Sequence, residues 1–169
     1  MKNEIRPIAI KGNLAIITLT KGYEAIIDID DICIVEGYNW WALKTRNNVY
    51  AARTQRIGGQ KKTIFMHRAI MGFPVGLEVD HKNGIGLDNT RKNLREATTA
   101  QNQHNQQLSS ANKSGYKGVF WSTREKKWTS RIRLSGNLYH LGYFSEVTDA
   151  HAAYCEASAK LHEEFGRTS

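Results

Sequence analysis

The chain has 169 residues, 40% of them hydrophobic, and its 24 Lys and Arg against 16 Asp and Glu give a formal net charge of +8. That length fits one medium domain or two small ones with thin cores, and the cationic excess selects a polyanionic partner, nucleic acid or an anionic membrane surface. The membrane reading is disfavoured because no apolar run approaches the ~20 residues of a spanning helix. The N-terminal stretch also lacks the apolar segment and small-residue cleavage site of a signal peptide, so an intracellular, cytoplasmic protein without membrane contact is expected. Cys33 and Cys155 are too few for a zinc ribbon or a disulfide framework, and both sit in apolar-patterned stretches as expected small core residues. A metal site must then be built from His, Asn and Asp, a donor set suited to a hard divalent ion.

In chain order, Ala15–Thr20 and Ala25–Ile29 read as β-branched strands with Lys21-Gly22 as the turn between them. Asp28–Asp31 reads as a helix start, followed by the apolar Ile32, Ile34 and Val35 before Gly37. Trp41–Lys44, Val49–Arg53 and Thr63–Met66 read as further strands, with Gly58-Gly59 as a turn. Trp40 and Trp41 are expected in the core, while Arg53, Arg56, Lys61 and Lys62 suit phosphate tracking. This β-rich region is assigned to residues 1–65.

The next region, 66–107, is poor in apolar residues and dense in Asp, His and Asn. A strand from Leu77 runs into Asp80-His81 and the turn residues Lys82-Asn83-Gly84. Leu94–Ala97 reads as the returning strand, and Thr98 or Thr99 caps a helix carrying Ala100, Asn102 and Asn105. A polar linker, 108–114, follows. The last region, 115–166, shows strand-like runs at Tyr116–Trp121, Trp128–Leu134 and Leu138–Phe144. A closing helix from about Val147 has an apolar stripe of Val147, Ala150, Tyr154, Ala157 and Leu161. The expected fold class is α+β: a ββα module preceded by a small β-rich region and followed by a three-stranded antiparallel sheet packed on one helix.

The middle region holds the inventory that phosphodiester hydrolysis requires. A His with a pKa near ~6.5 can take a proton from water, and an Asp carboxylate with an Asn carbonyl suits Mg²⁺ or Mn²⁺. A further Asn carbonyl can fix the imidazole tautomer. Asp80, His81 and the Asn residues also fit a turn-rich loop braced by side-chain hydrogen bonds. The spacing of Val79–Gly84, Leu87–Arg95 and Thr98–Asn102 resembles the HNH family of ββα-metal nucleases, in its phage and intron homing branch. The resemblance implies that Asp80 and Asn102 are metal ligands, that His81 is the general base, and that Asn93 orients it. It also implies that Asn83, Gly84, Asp88 and Asn89 form the connecting loop. Neighbouring residues on a regular strand point to opposite faces, so the strand has to end at His81 for the set to assemble. His67 is read as structural. A ligand role for His104 is disfavoured because it stands two helical positions from Asn102. His140, His151 and His162 are read as binding or surface residues.

Along Trp128–Leu134, Trp128 and Ile132 share one strand face while Thr129, Arg131 and Arg133 share the other. With the helix on the first face, the second is left open and cationic. Solvated surface charge is the ordinary reading of such a face. However, Ser114–Val119, Lys127–Arg133, His140–Phe144 and Asp149–Ala157 are similar to the plant ethylene-response-factor, or APETALA-type, DNA-binding domain. That resemblance implies that Lys117, Phe120, Arg131, Arg133, Leu138 and His140 face the major groove of double-stranded DNA. Phe120, Leu138 and His140 depart from the Arg or Trp usual there. The whole chain is thus expected to be a site-specific, homing-type DNA endonuclease using one divalent metal, acting as a monomer or homodimer. The alternative is a DNA-binding transcription regulator with a vestigial HNH fold.

Overall fold

The computed structural model describes residues 5–104, 108, 112–134 and 137–162, the side chains at 100, 103, 104, 134 and 162 excepted. Asn105, linker residues 109–111, the Ser135-Gly136 turn and the side chains of His104 and His162 lie outside the described residues. The chain divides into two compact units, Met1–Thr98 and Thr99–Ser169. Every strand ladder in both is antiparallel, giving the mixed α+β architecture expected from the patterning.

In the first unit, β1 (Ile8–Lys11), β2 (Leu14–Thr18) and β3 (Glu24–Asp28) form a meander. Alternate residues Ala15 and Ile17 on β2, and Ala25 and Ile27 on β3, are buried, as a half-covered sheet requires. β1 is absent from the sequence reading because its four residues are mostly exposed and carry no buried alternation. A one-turn helix, α1 (Ile32–Val35), leads to a second meander of β4 (Trp41–Lys44), β5 (Val49–Ile57) and β6 (Gln60–Phe65). Met66, expected at a strand end, instead begins α2 (Met66–Ile70). β7 (Glu78–His81) then pairs with β8 (Leu94–Ala97). A single apolar cluster runs from Ala15 and Ile27 through Val35, Trp40, Met66 and Ile70 to Val79 and Leu94, so the β-rich region and the His-bearing strands share one core. Trp40 is buried as expected and donates its indole N–H to Val35 O at 2.8 Å. Trp41 is half-buried. Cys33, expected in the core, is exposed, because a helix as short as α1 buries only one side, and here that side is Val35.

In the second unit, α3 (Thr99–His104) precedes a three-stranded sheet of β9 (Val119–Ser122), β10 (Lys127–Leu134) and β11 (Asn137–Phe144), ordered β11-β10-β9. The closing helix, α4 (Val147–His162), packs on this sheet. Its buried line is Ala150, Tyr154 and Ser158 at four-residue steps, covering Val119 and Ile132. Leu161, expected on that stripe, is 38% exposed, because the small Ser158 takes the inward position one turn earlier. Cys155 is half-buried rather than in the core, with its thiol 3.4 Å from His151 Nε2.

Gly118 shows how tightly α4 sits. Its φ is +70°, and a Cβ there would overlap the Tyr154 ring and lie 2.6 Å from Arg131 O. Gly118→Ala is expected to cost about 2–4 kcal/mol, from left-handed strain plus overpacking. Gly115→Ala, at a similar φ with nothing within 4 Å, should cost only about 1–2 kcal/mol. Urea unfolding of the two variants checks the difference.

Candidate active site

The strand carrying Asp80-His81 ends where the chemistry requires. β7 stops at His81, whose carbonyl accepts Gly84 N–H at 2.8 Å in a turn that needs the positive φ of Gly84, +73°. Lys82 N–H reaches Asn93 O at 2.9 Å, closing the base of the loop. Inside it, Asn83 accepts Ile85 N–H at 2.8 Å and donates to Asp88 Oδ2 at 2.8 Å, while Asp88 Oδ1 accepts the Thr90 hydroxyl at 2.7 Å.

The loop is clamped to the β-rich region at three places. Asn48 donates to Gly84 O and accepts Gly86 N–H, at 2.8 and 3.1 Å. β3 lies alongside it, with Ile26 N–H on Leu87 O at 2.9 Å and Asn89 N–H on Ile26 O at 2.8 Å. Arg91 donates its backbone N–H to Asp28 and its guanidinium to the buried Asp31, at 2.7–3.1 Å. Groups 36 to 63 residues upstream thus fix a loop that has little apolar content of its own.

His81 is 5% exposed, and its environment is aromatic on one side and polar on the other. Its ring lies 4.9 Å edge-on from His67 and 5.9 Å from Tyr50, centroid to centroid. Asn89 Oδ1 stands 3.4 Å from Nε2. The sequence reading put Asn93 against the imidazole, and the amide found there is Asn89. Both amide atoms of Asn93 serve the loop backbone instead, accepting Asn83 N–H at 3.0 Å and donating to Asp88 O at 2.7 Å. Asn93 therefore braces the loop next to Asn89. Burial pushes the His81 pKa below its ordinary value, with Asn89, Asp80 and Asp88 opposing. The imidazole is neutral at neutral pH, the form a base must have.

Asp80 is equally buried and sits opposite Arg95 across the β7–β8 ladder. Arg95 Nε and Nη2 both bond Oδ2, at 2.9 and 2.8 Å. The salt bridge engages one oxygen of the carboxylate, and oxygen donors of this kind fit a hard divalent ion. Asn102, the other expected ligand, is a half-buried residue of α3 in the second unit. Among the described residues, no group of three or more His, Cys, Asp and Glu gathers to hold a metal. A divalent ion held at Asp80 would need further oxygen donors from outside these groups.

His67 lies at the back of the site. It stacks on Phe65 at 5.3 Å, and among the described residues its buried Nδ1 has no partner. Burial first, then the neighbouring His81 and Arg68, push its pKa down to about 3. Because the unfolded chain protonates near ~6.5, the stability from keeping His67 neutral is complete above that pH and is lost progressively as pH falls towards 3. At pH 5 the loss is about 2 kcal/mol. His67→Phe keeps a ring on Phe65 and removes the titration. Its urea midpoint is expected to fall less than wild type between about pH 7.5 and 5.

On the second unit, cross-strand partners place Phe120, Thr129 and Tyr143 on one face with Arg131, His140, Arg133 and Leu138. All except Thr129 are exposed, so five of the six expected contact residues share this face. Lys117, the sixth, precedes β9 and is half-buried. Thr129, expected on an open surface, is 1% exposed because Phe120 and Tyr143 flank it on the neighbouring strands. Tyr143 was not foreseen. A β-bulge leaves Leu141 unpaired and returns Tyr143 to the face of His140, 4.5 Å away between ring centroids. Strict alternation along the sequence hides that return.

Residues 68–104 match the HNH endonuclease family, a span that includes Asp80, His81, Asn93 and Asn102. The chain is also similar to Protein 3.8 of Escherichia phage T7, with 28% identity over 95 residues that make up 56% of this chain and 78% of that protein. No solved structure matches the chain. Among the described residues, no helix is long and apolar enough to cross a membrane.

Proposed function

We propose that the chain is a site-specific, homing-type endonuclease that hydrolyses double-stranded DNA at one divalent-metal centre. The observation that carries this reading is His81: a neutral, sterically held imidazole at the end of a strand, beside the Asp80 carboxylate, within the segment matching the HNH endonuclease family. Asn89 donates its amide N–H to Leu87 O at 3.2 Å, which turns its oxygen towards His81 Nε2. A tautomer protonated at Nε2 suits that oxygen and puts the lone pair on Nδ1 to accept a proton from water. Asn93 braces the loop that presents Asn89. Asp80 would be a ligand of Mg²⁺ or Mn²⁺, which when bound would supply Lewis acidity at the scissile phosphate. Arg95 holds the Asp80 carboxylate in place through its two bonds to Oδ2.

One such centre serves one strand at a time, so a monomer nicks and a double-strand break needs a second protomer or a second event. The C-terminal sheet is the reader, with Arg131 and Arg133 for guanine edges or phosphates and Phe120, Leu138, His140 and Tyr143 for apolar and stacking contacts. Lys117 adds a cation beside it. The exposed Arg131 and Arg133, side by side with Phe120, Leu138, His140 and Tyr143 on one sheet face, support that role. The test is to incubate supercoiled plasmid or phage DNA with the protein in Mg²⁺ or Mn²⁺, with and without EDTA. Relaxation that EDTA abolishes is expected; binding without relaxation in either metal would favour the regulator.

A further inference from the structure

The β5–β6 hairpin outgrows the sheet that carries it. β4 pairs with β5 only as far as Ala52, and beyond Arg53 the two strands continue alone, as Thr54↔Thr63, Gln55↔Lys62, Arg56↔Lys61 and Ile57↔Gln60. Every residue from Thr54 to Thr63 is exposed. A free two-stranded hairpin is marginal in water, and this one is anchored at its root. The Arg53 guanidinium lies under the Tyr38 ring at 3.8 Å, so Arg53, expected to track phosphates, is a buried anchor instead. The tip is Gly58-Gly59, both at positive φ, +59° and +79°, in the turn whose twist matches paired strands. Nothing lies within 4 Å of the Cβ position of either glycine.

Its charge is of one sign. No Asp or Glu occurs from Val49 to Phe65, and among the described residues Arg56, Lys61 and Lys62 form no ion pair. Arg56 and Lys61 stand directly opposite each other, a like-charge pairing that weakens a hairpin in isolation. Edge lysines also deter strand-to-strand aggregation, but that does not call for an opposed pair. An anion along the ribbon relieves the repulsion. Neighbouring residues alternate faces, so Lys62 points away from the Arg56–Lys61 pair, and cations flank both faces.

We propose that this ribbon enters the major groove of the duplex on which the His81 centre acts, its cations reaching the phosphates on both sides. The proposal rests on the reading of the substrate as double-stranded DNA. Four residues per strand at about 3.4 Å each make a ribbon about 14 Å long, and two strands about 4.8 Å apart fit a groove about 12 Å wide. β5 also carries Tyr50, whose ring packs against His81. Six residues further on is Arg56, at most about 20 Å away along the strand. With the 5.9 Å between Tyr50 and His81 added, about 26 Å at about 3.4 Å per base pair puts the ribbon's DNA contacts within about eight base pairs of the cut.

The test uses the full chain and a mixed-sequence 30-base-pair duplex in EDTA, with affinity followed by fluorescence anisotropy across a salt series. The Arg56→Gln/Lys61→Gln/Lys62→Gln variant is expected to flatten the log–log salt slope by about two to three. Arg56→Lys/Lys61→Arg/Lys62→Arg should restore it. A triple-Gln variant that melts like wild type and keeps the wild-type slope overturns the proposal. Should that variant fail to fold, Lys62→Gln alone carries the test, with a slope flatter by about one expected and an unchanged slope overturning it. Wild type that fails to bind duplex at all overturns the DNA reading and the ribbon with it, an outcome distinct from loss of the ribbon contribution alone.

Discussion

His81→Ala is expected to lower the rate of plasmid nicking by about 10²–10⁴-fold, the usual worth of a positioned general base. Affinity for duplex DNA should stay within about twofold. The argument is positional. Burial holds the imidazole neutral, and the amide of Asn89 faces one ring nitrogen. The DNA-contacting groups proposed here lie on the ribbon and on the second unit, not on β7. Removing a buried ring also leaves a cavity, so a second variant separates chemistry from folding. His81→Gln keeps a polar side chain of similar reach, and it too should lose nicking while its melting temperature stays closer to wild type. Nicking at the wild-type rate by either variant contradicts the assignment of the base.

Arg95→Met is expected to destabilise the first unit by about 3–5 kcal/mol. The Asp80–Arg95 pair is 6% and 8% exposed at its side chains. Truncating the cation leaves a buried carboxylate without the two bonds that now reach its Oδ2. A buried pair is weak evidence of net stabilisation, because replacing both partners by apolar or neutral groups is often nearly neutral. Asp80→Asn/Arg95→Met should therefore recover much of the stability lost in Arg95→Met. It should not recover nicking, because a neutral amide replaces the carboxylate proposed to hold the metal. Urea unfolding reads the first effect and plasmid relaxation the second. Recovery of both together would mean that Asp80 serves the fold alone.

The Asp80-His81 strand end was legible because those residue types are unusual for a core and because turn residues follow them at once. Lys82-Asn83-Gly84 announced the end of the strand, and the structure ends it at His81. Asn89 was not legible as the partner of the imidazole. It is fully buried and its backbone N–H bonds Ile26 O on β3, a strand more than 60 residues earlier, and no local pattern records such a contact. The amide of Asn93 was assigned to His81 by family spacing, whereas local geometry spends it on the loop backbone.

Elsewhere, the strands of the C-terminal sheet followed from alternation, but the bulge at Leu141 is invisible to a strict period of two and concealed Tyr143. The ribbon was hidden for the opposite reason. Thr54–Thr63 is exposed on both faces, so it shows no alternation for periodicity to detect, and only Gly58-Gly59 marked the turn. Apolar patterning also overcalled Cys33 and Leu161 as core, because the helices that carry them bury narrower faces than their composition allows.

The most direct measurement of the central claim is to map the ends of cut DNA on both strands, using plasmid or phage DNA treated with wild type and His81→Ala in Mg²⁺ or Mn²⁺. Discrete breaks at reproducible positions, on one strand at early times and absent with His81→Ala, are the expected result. Breaks scattered without sequence preference, or the same breaks with His81→Ala, would contradict it.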